Sequence, residues 1–450
     1  MEKPSVKWFI LFFFTFAALI PALMAGGGQD SDEIYWQKRS AEARERILKA
    51  YKPNPVEVIH HFNKKTQEAL ERHLAETVSV NATGRRSLGT KYRGPCMATN
   101  PIDRCWRCDP KWANNRQRYA DCVQGFGIGT TGGKGGPIYV VTDSSDNDMV
   151  NPKPGTLRHA VIQNGPLWII FGSSMNIKLN QELIVASNKT IDGRGGVVHI
   201  MNGAGITLQN VQNVIISNLK ITNIQKSNGG TIRDSVDHFG FRTAADGDAI
   251  SIFGSHNIWL DHLSMSEGQD GLIDAVMGST AITISNCHFV HHDKVLLFGG
   301  RDGDTIDSKM QITLAFNHFG HFLVQRMPRC RRGFFHLVNN DYTHWLMYAI
   351  GGSHNATIIS QGNQYIAPDL VDKKVVTHRE SGTPESEWKK WTWVSDHDVF
   401  KNGAIFIPSG DPNGAATYAA LEKIKPAPGH QVTLMTQFSG HRACIPSRPC

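Results

Sequence analysis

Four stretches of this chain repeat one another: "AITISNCHF", "QITLAFNHF", "FHLVNNDY" and "ATIISQGNQY". Aligned, they place Cys287, Asn317, Asn340 and Asn363 in one column, with Phe289, Phe319, Tyr342 and Tyr365 two residues on. Further back, "NIWLDHLSM" and "NVIISNLKI" put Leu263 and Leu219 in the first column. The steps from Leu263 onward are 24, 30, 23 and 23 residues, and the step from Leu219 to Leu263 is 44, or two repeats. Each run is rich in Val, Ile and Thr and closes on Gly, Asn, Asp or Ser, which is strand-and-turn composition. A period in the low twenties without intervening helices predicts a solenoid, because one rung cannot bury its apolar face alone and stacked rungs bury each other's. A leucine-rich repeat needs a Leu comb that is absent, and a β-sandwich has no fixed period. The expected fold class is therefore all-β, a right-handed parallel β-helix, with an amide ladder along the asparagine column. Open solenoid ends expose strand edges and need caps. "PGTLRHAV" reads as a capping helix, and the 380–450 tail as cover for another face.

The rest of the chain divides around this unit. Residues 1–25 pair a short basic start, "MEKPSVK", with the apolar run "WFILFFFTFAALI" and small residues near Ala25. That is the pattern of a signal peptide, too short and wrongly flanked for a membrane span. Residues 26–92 form a charged, helix-favouring module split at Pro53 and Pro55, then a polar linker, "VSVNATGRRSLGTKYRG", which reads as a mobile tether. Residues 93–450 form the β-helix domain and its tail. Export suits the eight cysteines, an even number, as disulfides plus a buried thiol or two. "CWRC" lacks a second pair at zinc spacing and any thioredoxin-like surroundings, so it reads as structural. Sequons at Asn81, Asn188 and Asn355 are candidate glycan sites. The glycine run "GIGTTGGKGG" imitates a dinucleotide fingerprint, but a strand follows it where a helix is required.

Two acidic pairs stand out: Asp246 and Asp248 in "DGDAISIF", and Asp270 and Asp274 in "DGLIDAV". Asp246 and Asp270 are 24 residues apart, one rung, so the pairs become neighbours about 4.8 Å apart in the stacking direction. Four crowded carboxylates need a cation or raised pKa values, and Ca²⁺ suits an irregular oxygen shell outside the cell. Asp261 lies beside apolar residues and reads as a buried structural carboxylate. Lys294 is one rung on, and "VQRMPRCRRGF" one rung beyond that, with Arg326 and Arg331 on the face that carries Asp270 and Asp274. Acids on one side and bases on the other make a receptor for repeated carboxylates. The net charge of +7 suits an anionic partner, and export argues against nucleic acid.

"DGDAISIFGSHNIWLDHLSMSEGQDGLIDAVMGSTAITISNCHF" and "QRMPRCRRGFFHLVNNDYTHWLMYAIGG" resemble the plant pectate lyases, a family that includes several pollen allergens. The resemblance covers roughly residues 93 to 410, and the helical module resembles one found in a subset of the family. It implies a secreted, calcium-dependent β-elimination of polygalacturonate in cell-wall pectin. It also implies the site: Asp246, Asp270 and Asp274 as calcium ligands with Asp248 beside them, Arg326 as base, Lys294 and Arg331 holding substrate carboxylates, and a disulfide between Cys105 and Cys122. A guanidinium holds its proton to above about 12, so neighbouring positive charge and an alkaline optimum are expected. "LLFGGRDGD" departs from the family's usual loop beside the cleft, and Leu346 stands where Glu is common. A monomer is expected. The alternative reading is a non-catalytic, calcium-dependent pectin-binding wall protein. A hydrolase would need paired catalytic carboxylates, and the corresponding motifs are missing.

Overall fold

The computed structural model describes residues 27–83, 96–410, 421 and 423–450, and the side chains of all of these except 27–31 and 77–83. The leader assigned to 1–25 and Arg85–Arg86 of the linker lie outside the described residues.

Parallel strands stack into three sheets of ten, nine and nine strands, joined by a two-stranded antiparallel hairpin, Gly230–Arg233 with Phe239–Arg242. One column of the ten-stranded sheet runs Ile258, Ile282, Ile312, Phe335, Ile358 and Trp393, each the Cα partner of the next. These inward residues, with Leu219, Leu263 and Cys287 of the corner, fill a single continuous apolar core. The result is a parallel β-helix, as the repeat predicts.

The corner before the ladder column is a left-handed residue in seven successive rungs: Asn218, His262, Asn286, Phe316, Asn339, Gly362 and His397 have φ between 50° and 59°. That conformation turns the chain sharply but is costly for Phe and His. The ladder beginning at the next residue holds it in place. Nδ2 of Asn317 donates to Oδ1 of Asn340 at 3.0 Å, Asn340 to Asn363 at 3.0 Å, and Asn363 to Oδ1 of Asp398 at 3.1 Å. Each amide also donates to a carbonyl of the preceding rung, those of Ile284, Leu314 and Leu337. Beside it runs an aromatic stack, Phe289, Phe319, Tyr342, Tyr365 and Phe400, with centroids 4.6 to 5.6 Å apart.

The tail differs from expectation in part. Trp393–Asp396 and Val399–Lys401 are a further rung, and only the residues after it act as cover. There, Ala427, Val432 and Met435 pack beside Phe316 and Val338. The expected cap exists as a short helix, Leu157–Val161, N-capped by Thr156.

The N-terminal region also departs from expectation. It forms α1 (Gly27–Ala50) and α2 (Pro55–Thr83), so α2 takes in the first residues assigned to the linker. Neither helix stands apart. Ile59 packs with Ile359, Val394 and Leu421, and Phe62 stacks on Phe316 at 5.5 Å. Asn63 Nδ2 donates to Gln361 Oε1 at 3.2 Å. The glycine run lies flat on the same sheet: a Cβ at Gly133 would fall 2.0 Å from the Leu167 carbonyl oxygen.

Disulfides join Cys96–Cys108, Cys105–Cys122 and Cys444–Cys450, while Cys287 and Cys330 are buried thiols. Both cysteines of "CWRC" thus bridge outward to different partners. Asp261 is fully buried and accepts hydrogen bonds from Tyr119, Ser285 and Asn286. Asn355 is exposed; Asn188 is half-buried and its Oδ1 accepts from Asn213. Asn81 falls in the last turns of α2, with its side chain outside the described residues.

Candidate active site

The nine-stranded sheet that includes Ile206–Gln209, Ile250–Phe253, Gly271–Val276, His292–Phe298, Arg329–Arg331 and Ile350–Ser353 carries the acids and bases. Its alternation buries Ile250, Ile252, Ile273 and Ala275 in the core and leaves Ser251 and Asp274 outside. Thr207, Ser251, Asp274, Leu297, Arg329 and Gly351 are successive Cα partners, one row across the outer face.

The four aspartates gather at the start of this sheet. Asp248 is nearly buried; its Oδ1 accepts from Gly271 N at 2.7 Å and its Oδ2 from Ser251 Oγ at 3.1 Å. Burial, then the charge of Asp246 and later that of Asp270, pushes its pKa up to about 6. Asp274 is pushed well above the usual carboxylate range by burial, then by Asp248, Asp270 and Asp246, while Arg326 pulls the other way. Asp248 and Asp274 face each other across bare backbone: a Cβ on Gly271 would lie 2.8 Å from Asp248 Oδ1 and 2.4 Å from Asp274 Oδ1. This donor set is all oxygen, crowded and short of positive charge, with a cradle that a side chain would fill. It fits a hard divalent cation such as Ca²⁺.

The bases sit on the following rungs. Lys294, the Cα partner of Gly271, donates from Nζ to Asp270 Oδ1 at 2.6 Å. Arg326 has φ 63°, its carbonyl accepts from Leu296 N at 2.7 Å, and its buried Nε has no hydrogen-bond partner. Tyr348 stacks on His378 at 4.6 Å, and the charges of Arg326 and Arg329 act on its hydroxyl. Arg331 is held by Asp302 Oδ1 at 3.1 Å and by the Gly299 carbonyl at 3.0 Å. Arg329 is paired with Glu380 at 2.6 Å, and Arg332 donates to the Asp302 carbonyl at 2.8 Å.

The structure therefore brings Asp246, Asp248, Asp270, Asp274, Lys294 and Arg326 together. It sets Arg331 one row away, against the loop containing Asp302. In register with Asp274 stands Arg329, which sequence reasoning left without a role. Tyr348 was also missed, although it lies in "HWLMYAIGG", part of the stretch that carried the resemblance. Among the described residues, the atoms of Asp302, His354 and Glu380 lie within 4.8 Å of one another, closer than any three of the aspartates. Asp302 and Glu380 already face guanidiniums, so this trio reads as an anchor for Arg331 and Arg329.

A family profile described as "Pectate lyase" matches residues 113–399, and one described as "Pectate lyase, N terminus" matches residues 29–88. The chain is 61% identical to a pectate lyase of Nicotiana tabacum over 84% of this chain and 95% of that protein. It is 54% identical to a pectate lyase of Lilium longiflorum over the whole of both. The crystal structure of Jun a 1, the major allergen from cedar pollen, superposes with a TM-score of 0.73 at 46% identity, covering 76% of this chain and 99% of that one. With a profile across most of the β-helix and relatives this similar along its length, the chain belongs to the pectate lyase family of polysaccharide lyases.

Proposed function

We propose that the chain is an exported, calcium-dependent pectate lyase that cleaves (1→4)-α-D-galacturonan in cell-wall pectin by β-elimination, acting as a monomer. In this reading residues 1–25 are a leader removed on export, 26–92 an N-terminal helical segment and 93–450 the catalytic unit, with Asn355, exposed where Asn188 is half-buried, a glycan site. The observation that carries the reading is the pairing of Asp248 and Asp274 across Gly271 with Arg326 acting on Asp274 from the next rungs.

Asp246, Asp248, Asp270 and Asp274 would hold Ca²⁺, which supplies charge stabilisation to a uronate carboxylate as the neighbouring C5–H is lost. The chain's own groups do the rest. Lys294 spends one of its three donors on Asp270 and keeps the others for that carboxylate. Arg331 uses Nε and Nη1 on Asp302 and Gly299, which leaves Nη2 for a second uronate. Arg326, with no carboxylate pairing among the described residues and its Nε unpartnered, takes the C5 proton as base after its guanidinium has given a proton to solvent at alkaline pH. The electron pair forms the C4–C5 double bond, the C4–O bond breaks, and the departing oxygen takes a proton from solvent.

The test is ultraviolet absorbance of the unsaturated product from de-esterified polygalacturonate at alkaline pH. A rise abolished by chelator, and lowered by at least about 100-fold in Arg326→Ala, is expected. New reducing ends without absorbance would mean hydrolysis, and bound pectin without turnover a binding protein.

A further inference from the structure

The strands that bear the aspartates continue past them into a second feature. Ser251 and Asp274 are Cα partners, and two residues on so are Phe253 and Val276, on the same outer face. Phe253 and Met277 are large apolar side chains left 40% and 45% exposed. Over them lies α1. The helix is tied at one end to the hairpin: Asp32 accepts from Phe241 N at 3.2 Å, Tyr35 donates to Asp234 at 3.0 Å and stacks on His238 at 3.5 Å. Further along, Arg46 Nη2 donates to the Asn210 carbonyl at 3.2 Å. Between helix and sheet is a groove of about 380 Å³, lined by Trp36, Ile47, Phe253, Met277 and Ile306. That volume falls in the range of small-ligand sites.

The two parts of this face differ in charge. The centre holds four aspartates, Lys294 and Arg326. The groove has only Glu33 and Arg44 among its charged lining residues, of opposite sign. A free uronate carboxylate would meet one cation there, Arg44, and would lose hydration against Trp36, Phe253 and Met277. A uronate whose carboxyl is a methyl ester carries no charge and has a methyl group to bury against Trp36, Phe253 and Met277.

We propose that the groove under α1 is a distal sugar subsite of the same cleft, and that it takes methyl-esterified uronate units of a chain whose free carboxylate occupies the aspartate centre. The inference rests on the lyase reading and adds a pattern of substrate: esterified units on the Phe253 side, de-esterified units at the reaction centre. The helix is then a wall of the binding site as well as a cover for the sheet.

The test compares kcat/KM on partially methyl-esterified and on fully de-esterified polygalacturonate, for the full chain and for Trp36→Ala and Met277→Gln. The ratio of the first substrate to the second is expected to fall about tenfold in each variant, through KM. Met277→Gln alters an exposed side chain of the β-helix itself and guards against a misfolded helix variant. A ratio that stays constant in both variants overturns the proposal, as does an equal loss on both substrates. If the unaltered chain makes no unsaturated product from either substrate, the lyase reading fails instead. Titration of methyl-esterified oligogalacturonate into the same proteins then decides the groove alone: binding weakened by Trp36→Ala keeps it, and unchanged binding rejects it.

Discussion

At Gly271 a methyl group would have to share space with two carboxylates, those of Asp248 and Asp274. Gly271→Ala is therefore expected to push them apart and weaken calcium binding by about 10- to 100-fold, with the β-sheet circular dichroism retained. Calcium titration by calorimetry measures it, and an unchanged Kd would remove these aspartates from the ligand set. The pairing of the acids was legible because two Asp-Gly pairs stand one rung apart in a chain of measurable period. The arginines were harder. Lys294 pairs with Gln325, an offset of 31 residues, while Leu297 pairs with Arg329, an offset of 32. One extra residue thus enters around Arg326, whose φ of 63° accommodates it. Counting in fixed rungs cannot detect such an insertion, so Arg329 in the Asp274 row went unnoticed.

Among the elements, the ladder ends on the carboxylate of Asp398, which accepts from Asn363 N and Nδ2, Ser360 and Ser395. Burial pushes its pKa up to about 6 against those hydrogen bonds. A folded-state pKa above the unfolded value means the folded chain binds the proton more tightly. The folded state is thus penalised above about pH 6, and the penalty disappears as pH falls below about 4, a span worth about 3 kcal/mol. Relative to Asp398→Asn, which does not titrate, the unaltered protein should gain that much stability between neutral pH and about pH 4 in paired urea melts. A constant difference would show that Asp398 does not titrate in this range. The ladder and aromatic columns were readable as far as Asn363 and Tyr365. The next step is 35 residues to Asp398, and the insertion before it hid the final rung. The left-handed corner was hidden for another reason: Asn, His, Phe and Gly all occupy it, so no residue type marks it.

For the molecule as a whole, the helices were legible and their docking was not. Among the described side chains of α2, the buried ones are Ile59, Phe62, Asn63, Thr66, Ala69, Leu70 and His73, spaced as one helical stripe. Three of the seven are polar, which in sequence looks like a solvated face. They are buried because the sheet offers partners such as Gln361 for Asn63. Phe62→Ala should accordingly destabilise the β-helix itself by about 3 kcal/mol, seen as a lower Tm of the main calorimetric transition. A shift confined to a separate minor transition would restore the picture of an independent module.

The asparagine ladder has a direction. Every amide in it hands a proton donor to the next rung, from Asn317 to Asn340 to Asn363, and the last handover is to an acid. Ionised, Asp398 can receive but has nothing to pass on. A foreign strand arriving at that end of the stack would meet a carboxylate already occupied by Asn363, Ser360 and Ser395, where each earlier rung met an amide with a donor to offer. The repeat that lets one turn template the next thus contains its own terminator, and growth by end-to-end addition of further chains is refused at the level of a single functional group.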